Sequence, residues 1–252
     1  VEFGDENGTT EEDLKNAINE RTAAVHYVVY EQKPTDPNVL TLEQVLEITH
    51  AAGKPVSVDA AGQIYPLENF GKYVKMGADF QCIAAKYMGA PHSTGFALGT
   101  KKVIDAISRH SFVGYEGRRI RGIGRPQKID RQEIMGVVAA VDRWLTINHE
   151  DRWAFVENQS QAILKPLQGI PGVSAKINTN IIGHQPFGVI LSLDSAIVGL
   201  SNDDLVKKLQ NGDPSIWMRV SVDAPQIEIH VFGMSDGQPE LVGNAIADAV
   251  KG

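Results

Sequence analysis

The stretch "VSVDAAGQIYPLENFGKYVKMGADFQCIAAKYMGAPHSTGFALGT", Val56 to Thr100, holds the pattern that decides the fold. Within it "VSVDAAG" and "ADFQCIAA" are short apolar runs of strand length, and "LENFGKYVKMG" between them reads as a helix. Asp59 closes the first run, and Lys86 stands just past the second, before the turn-rich "GAPHSTG" and a further strand, "TGFALGT". A lysine at the end of a buried strand needs a reason, because an unpaired ammonium in low dielectric is very costly. It either snorkels to the surface or has a chemical partner.

The pattern continues on both sides. Upstream, "TTEEDLKNAI" fits a helix start with Thr9 and Glu12 spaced as a capping box, and "TAAVHYVVY" is an apolar strand. "TLEQVLEITHAAG" is a second helix, capped by Thr41 with Gln44 and ending at Gly53. Downstream, "KKVIDAISRH" is another helix. Strands alternating with helices at this rhythm predict an α/β fold with a mostly parallel sheet. Such sheets bind ligands at the carboxyl ends of their strands, where Asp59 and Lys86 both stand.

Residues 1–128 are therefore expected to form part of a ligand-binding large domain, and 129–167 a helical connector. Residues 168–252 read as a small α+β domain, with strands at "GVSAKINTN", "FGVILSLD", "SIWMRVSV" and "QIEIHVF" and helices at "NDDLVKKLQ" and "PELVGNAIADAV". Cys82, the single cysteine of the 252 residues, excludes an internal disulfide and points to a reducing, cytoplasmic setting. By its place in an apolar strand it reads as a core residue. A net charge of −7 argues against a general nucleic-acid surface, and no apolar run has the length of a membrane helix.

A carboxylate and an amine at neighbouring strand ends suit pyridoxal phosphate: the amine forms a Schiff base, and the carboxylate keeps the pyridine nitrogen protonated. By spacing alone a plainer reading stays open, with Asp59 capping a turn and Lys86 solvated on a loop. "GRRIRGIGRPQK", Gly117 to Lys128, gathers five cationic residues, a set suited either to gripping carboxylate or phosphate or to lying solvated on the surface.

These stretches, with "GIGRPQKIDRQEIMGVVAAV", resemble the fold-type I pyridoxal-phosphate enzymes. Within these they are most similar to the selenocysteine synthase-like group, which takes in D-glucosaminate-6-phosphate ammonia-lyase. The resemblance implies that Lys86 is the Schiff-base lysine, Asp59 the pyridinium partner and Ala61 the small residue against the cofactor ring. It implies that Arg125, Lys128 and the small-domain Arg219 bind a small anionic amino-acid substrate; His92, six residues after Lys86, is a candidate contact to substrate or phosphate by the versatility of its imidazole alone. It also implies pyridoxal 5'-phosphate as cofactor without a metal, a homodimer or larger homo-oligomer, and an upstream part of the large domain lying before Val1. Ile83 stands where the group often has a serine for the cofactor phosphate. The activity implied is a lyase eliminating water and ammonia from a hydroxylated amino acid or amino sugar acid. Selenium transfer onto seryl-tRNA and a non-catalytic binding module are the alternatives. Trp144 and Trp153, on one long helix, are expected to offer interface surface.

Overall fold

The computed structural model of the chain describes residues 1–29, 38–179, 188–221, 224–231 and 233–252. Tyr30, Asn180, Phe187, Val222 and Phe232, each at an end of an expected strand, lie outside the described residues. The chain divides into two compact units, Val1–Thr146 and Ile147–Gly252, so the division falls within the 129–167 segment.

The first unit runs α1 (Glu11–Ala17), β1 (Val25–Val28), α2 (Leu42–Ala51), β2 (Val56–Asp59), α3 (Lys72–Met76), β3 (Phe80–Ala84), β4 (Gly95–Gly99), α4 (Lys101–His110), α5 (Phe112–Arg118) and α6 (Arg131–Thr146). Its sheet has the order β1-β2-β3-β4. The first three strands are parallel and β4 is antiparallel to β3. The connections explain the difference. Crossovers carrying α2 and α3 return the chain to the same end of the sheet, whereas the short turn after β3 permits only a hairpin.

Alternation along the strands sorts the sheet into two faces. Val56 and Val58 of β2 are fully buried in a cluster with Leu14 of α1 and Leu42, Val45 and Leu46 of α2. The register pairs Val58 with Gln81, which puts Gln81 and Ile83 of β3 on that same face, both buried. The opposite face carries a row of paired positions across the four strands: Val28, Asp59, Cys82 and Ala97. These are half-buried or exposed. Beyond the strand ends, Trp144 of α6 is buried at 4% exposure and donates its Nε1–H to the Ile64 carbonyl at 2.8 Å.

The second unit runs α7 (His149–Leu164), β5 (Val173–Asn178), β6 (Gly188–Leu193), α8 (Ser195–Val198), α9 (Asn202–Gln210), β7 (Arg219–Val220), β8 (Ile227–His230) and α10 (Gln238–Lys251). The sheet is antiparallel in the order β5-β6-β8-β7. Val189, Leu191, Ile227 and Ile229 on its inner face pack with Ile163, Leu205 and Ile246 from the helices, an α+β arrangement as expected.

Several local expectations are corrected. Thr10 with Asp13 makes the α1 capping box, while the Thr9 hydroxyl accepts from the Leu40 amide at 3.3 Å. The Thr41–Gln44 box of α2 is present. The "LENFGKYVKMG" segment breaks into a 3₁₀ turn and α3 because Gly71 takes φ +78°. The "SIWMRVSV" strand shrinks to Arg219–Val220. The long connector is two helices, α7 starting anew at Asn148, whose side chain accepts from the Glu150 amide. Trp144 is core and so offers no interface surface. Among the described residues, no helix is long and apolar enough to cross a membrane.

Candidate active site

Because β2 and β3 are parallel neighbours, Asp59 and the segment after Ala84 emerge at one sheet edge. Asp59 is half-buried, and its Oδ1 accepts from the Ala61 amide at 3.0 Å and from the Cys82 thiol at 3.3 Å. Among the described residues, no hydrogen bond reaches its Oδ2. The Ala61 carbonyl in turn accepts from the Ala84 amide at 3.0 Å, which carries the strand pairing two residues past Asp59 and toward Lys86.

Lys86 lies in the 3₁₀ turn Ala85–Met88. Its flanks anchor it: Ala85 and Met88 are buried, and the Ala85 amide donates to the Thr94 carbonyl at 3.0 Å. The lysine itself is half-buried, with Nζ 5.1 Å from the Tyr87 ring centroid, a cation–π contact that offsets part of its lost hydration. Gly89 ends the turn at φ +93°, a conformation that suits glycine. The rest of "GAPHSTG" rests on α6, where a Cβ at Gly136 would stand 2.7 Å from the Pro91 Cδ. His92 sits exposed on this turn. Ile83 is 1% exposed on the core face, turned away from the face that carries Asp59.

The basic turn folds tightly against the end of α4. The Gly124 amide donates to the His110 carbonyl at 2.9 Å, and a Cβ at Gly122 would stand 2.6 Å from the His110 Cα. This folding brings Arg125 and Lys128 together on α5. The Arg125 guanidinium lies 4.8 Å from the Tyr115 ring and 5.8 Å from Phe112, and the Lys128 Nζ lies 4.8 Å from Phe112. Glu116 pairs with Arg125 at 3.7 Å and with Arg119 at 3.8 Å. Arg125 keeps 42% of its side-chain surface exposed, so its charge is screened by solvent as well as by Glu116. Among the described residues, no hydrogen bond or ion pair ties His92 to Arg125 or Lys128. Arg219 is exposed on β7 of the second unit, opposite Glu228 in the register.

Sequence reasoning missed Cys82. Its pairing with Asp59 across β2 and β3 puts it on the same face as Asp59, and the thiol meets the carboxylate. Alternation was the available signal, since Cys82 falls out of step with buried Gln81 and Ile83. Burial pushes the Cys82 thiol up, and the neighbouring Asp59 adds to this.

The chain has the fold of the fold-type I pyridoxal-phosphate enzymes. Over its whole length it superposes on a solved structure of D-glucosaminate-6-phosphate ammonia-lyase, with a TM-score of 0.74 at 24% identity, covering 63% of that chain. Curated relatives agree with the resemblance expected from the sequence. A D-glucosaminate-6-phosphate ammonia lyase from Salmonella typhimurium (strain 14028s / SGSC 2262) is 28% identical over 220 residues, 87% of this chain and 54% of its own. A 5'-C-glycyluridine monooxygenase-decarboxylase from a Streptomyces species is 29% identical over 245 residues, 96% of this chain and 58% of its own. The chain thus spans little more than half the length of the curated relatives it matches. No family model matches it.

Proposed function

We propose that this chain carries the reactive lysine of a pyridoxal-phosphate-dependent lyase. The lyase would eliminate water from a hydroxylated amino acid or amino sugar acid, and hydrolysis of the enamine so formed would take one water back up and release ammonia, giving a 2-keto acid. The observation that carries the reading is the placement of Lys86 and Asp59 at the carboxyl edge of two paired parallel strands, bridged by the Ala61–Ala84 hydrogen bond. The donor set fits the cofactor. Asp59 has Oδ1 engaged by the protein and Oδ2 left for a ring N–H, and Lys86 is a half-buried residue in a turn held by its buried neighbours.

Pyridoxal phosphate, when bound there, supplies an electron sink for charge developing at the substrate Cα. Asp59 keeps the ring nitrogen protonated. Lys86, freed by the substrate's amine, takes the Cα proton as general base. Ala61, having only a methyl group, leaves room for the ring. Arg125 and Lys128 hold the substrate's anionic end, with His92 as a further contact. The setting would be the cytoplasm, in keeping with the lone reduced cysteine.

The test is to incubate the protein and pyridoxal phosphate with D-glucosaminate 6-phosphate, the compound in the relative's name, and measure ammonia and 2-keto acid together. Failure to form either from this or any hydroxylated amino acid would end the lyase reading. The Streptomyces relative favours a second reading, in which the same lysine and aspartate serve loss of a carboxylate from an amino acid. Release of carbon dioxide in place of ammonia would select it.

Arg125→Ala should raise the Michaelis constant for an anionic substrate by about two- to tenfold, the range for a partly exposed charge contact, with little change in stability. An unchanged Michaelis constant for every anionic substrate tried would remove Arg125 from the substrate contacts.

The reading also includes a homo-oligomer. Ile134, Met135 and Val138 on α6 are 46%, 65% and 56% exposed, and Val113 and Ile123 are exposed nearby in the chain. Apolar groups left open in this way suit a symmetric interface. Sedimentation should show a dimer or larger species that Val138→Asp weakens. A strictly monomeric protein with its full complement of cofactor would count against the shared interface.

A further inference from the structure

Cys82 lies on the same face of the sheet as Asp59, touches it and has no role in the reading above. Its Sγ lies 3.3 Å from Asp59 Oδ1, and the Ala61 amide reaches that same oxygen at 3.0 Å. The strand register dictates this arrangement, since Asp59 and Cys82 are directly paired. Two donors on one oxygen, the thiol on β3 and the amide in the turn after β2, restrict rotation about the carboxylate's χ2. The oxygen they leave is Oδ2.

We propose that Cys82 is a positioning residue: with the Ala61 amide, its thiol holds Asp59 Oδ1 so that Oδ2 is presented to the ring nitrogen of the cofactor. This rests on the cofactor reading given above. The thiol suits the task because it stays protonated. Burial, together with the adjacent carboxylate, disfavours the thiolate, and a thiol that remains S–H keeps donating across the neutral range. Among the described residues, Asp59 is the charged group that Cys82 meets. A thiol is a weak donor, so the effect expected is on the direction of the carboxylate and the protonation of the ring. It is not on whether the unit folds.

The test has two arms. The first uses the protein without ligand and exploits the presence of a single cysteine. The pH dependence of Cys82 alkylation is compared between wild type and Asp59→Asn. Removing the carboxylate should move the midpoint down by roughly half a pH unit. Superimposable profiles would show that thiol and carboxylate do not interact, which overturns the proposal.

The second arm uses pyridoxamine 5'-phosphate as the probe and follows, by absorbance, the pH at which the bound ring nitrogen loses its proton. In Cys82→Ala the midpoint should fall by roughly half a unit. In Cys82→Ser, whose hydroxyl can donate to the same oxygen, it should return toward wild type. Equal midpoints in wild type and Cys82→Ala overturn the proposal. If Cys82→Ala fails to fold, a Cys82→Ser profile at the wild-type midpoint supports it, and one displaced by as much as Asp59→Asn overturns it. If wild type binds no probe, the cofactor reading fails and takes the ring-nitrogen part of the proposal with it. The ligand-free arm still reads the contact between Cys82 and Asp59 by itself.

Discussion

Lys86→Ala is expected to abolish fixation of pyridoxal phosphate on the protein. After borohydride treatment, wild type should carry the reduced pyridoxyl group on the peptide containing Lys86, and the variant should carry none. Turnover should fall by about 10²–10⁴-fold, the range for loss of a positioned base that moves a proton in the rate-determining step. The fold should survive, because the lysine is half-buried and its visible contact is with the Tyr87 ring, while buried Ala85 and Met88 hold the turn. A variant that still fixed pyridoxal phosphate as completely as wild type would move the reactive amine elsewhere and sink the assignment. A variant that lost its melting transition would leave the peptide mass of wild type as the deciding measurement.

Trp144→Ala should destabilise the Val1–Thr146 unit by about 3–5 kcal/mol, the usual cost of truncating a buried aromatic. Trp144 is 4% exposed, and its indole N–H meets the Ile64 carbonyl at 2.8 Å. That carbonyl belongs to the turn leaving Asp59 and Ala61, so the bond ties the site's edge to α6. Trp144→Phe keeps most of the apolar volume and leaves the carbonyl unpaired, at a cost of about 1–3 kcal/mol. Denaturant midpoints of both variants separate the packing loss from the hydrogen-bond loss. A Phe variant as stable as the parent would show that the indole bond contributes nothing. Both variants should also loosen pyridoxal-phosphate binding, since the 60–64 turn loses its fixed support.

The strands and most of the helices were legible because their signals are local. Val56 and Val58 alternate with Ser57 and Asp59, and Thr41 with Gln44 forms a box that needs no partner outside its own helix. The box of α1 was placed one residue early because Thr9 and Thr10 both offer hydroxyls and both are followed, three residues on, by an acidic side chain. The Leu40 amide took Thr9 and left Thr10 to the helix, and Leu40 lies 31 residues away. Trp144 was misread for the same reason: nothing near it in the chain announces that the Ile64 carbonyl will meet its indole.

The sequence by itself determined that Asp59 and Lys86 would each follow a strand, and that the strands would be parallel neighbours served by helical crossovers. Period, capping and chain length carry that much, because each acts over a few residues. Only the tertiary structure decided which oxygen of Asp59 is engaged, that the Cys82 thiol reaches it, and that Arg125 is screened by Glu116 and stacked on Tyr115. Those contacts depend on register and on how a glycine-rich turn folds back onto a helix. A one-residue slip in the pairing of β2 with β3 would have turned Cys82 to the core and left Asp59 without its second donor.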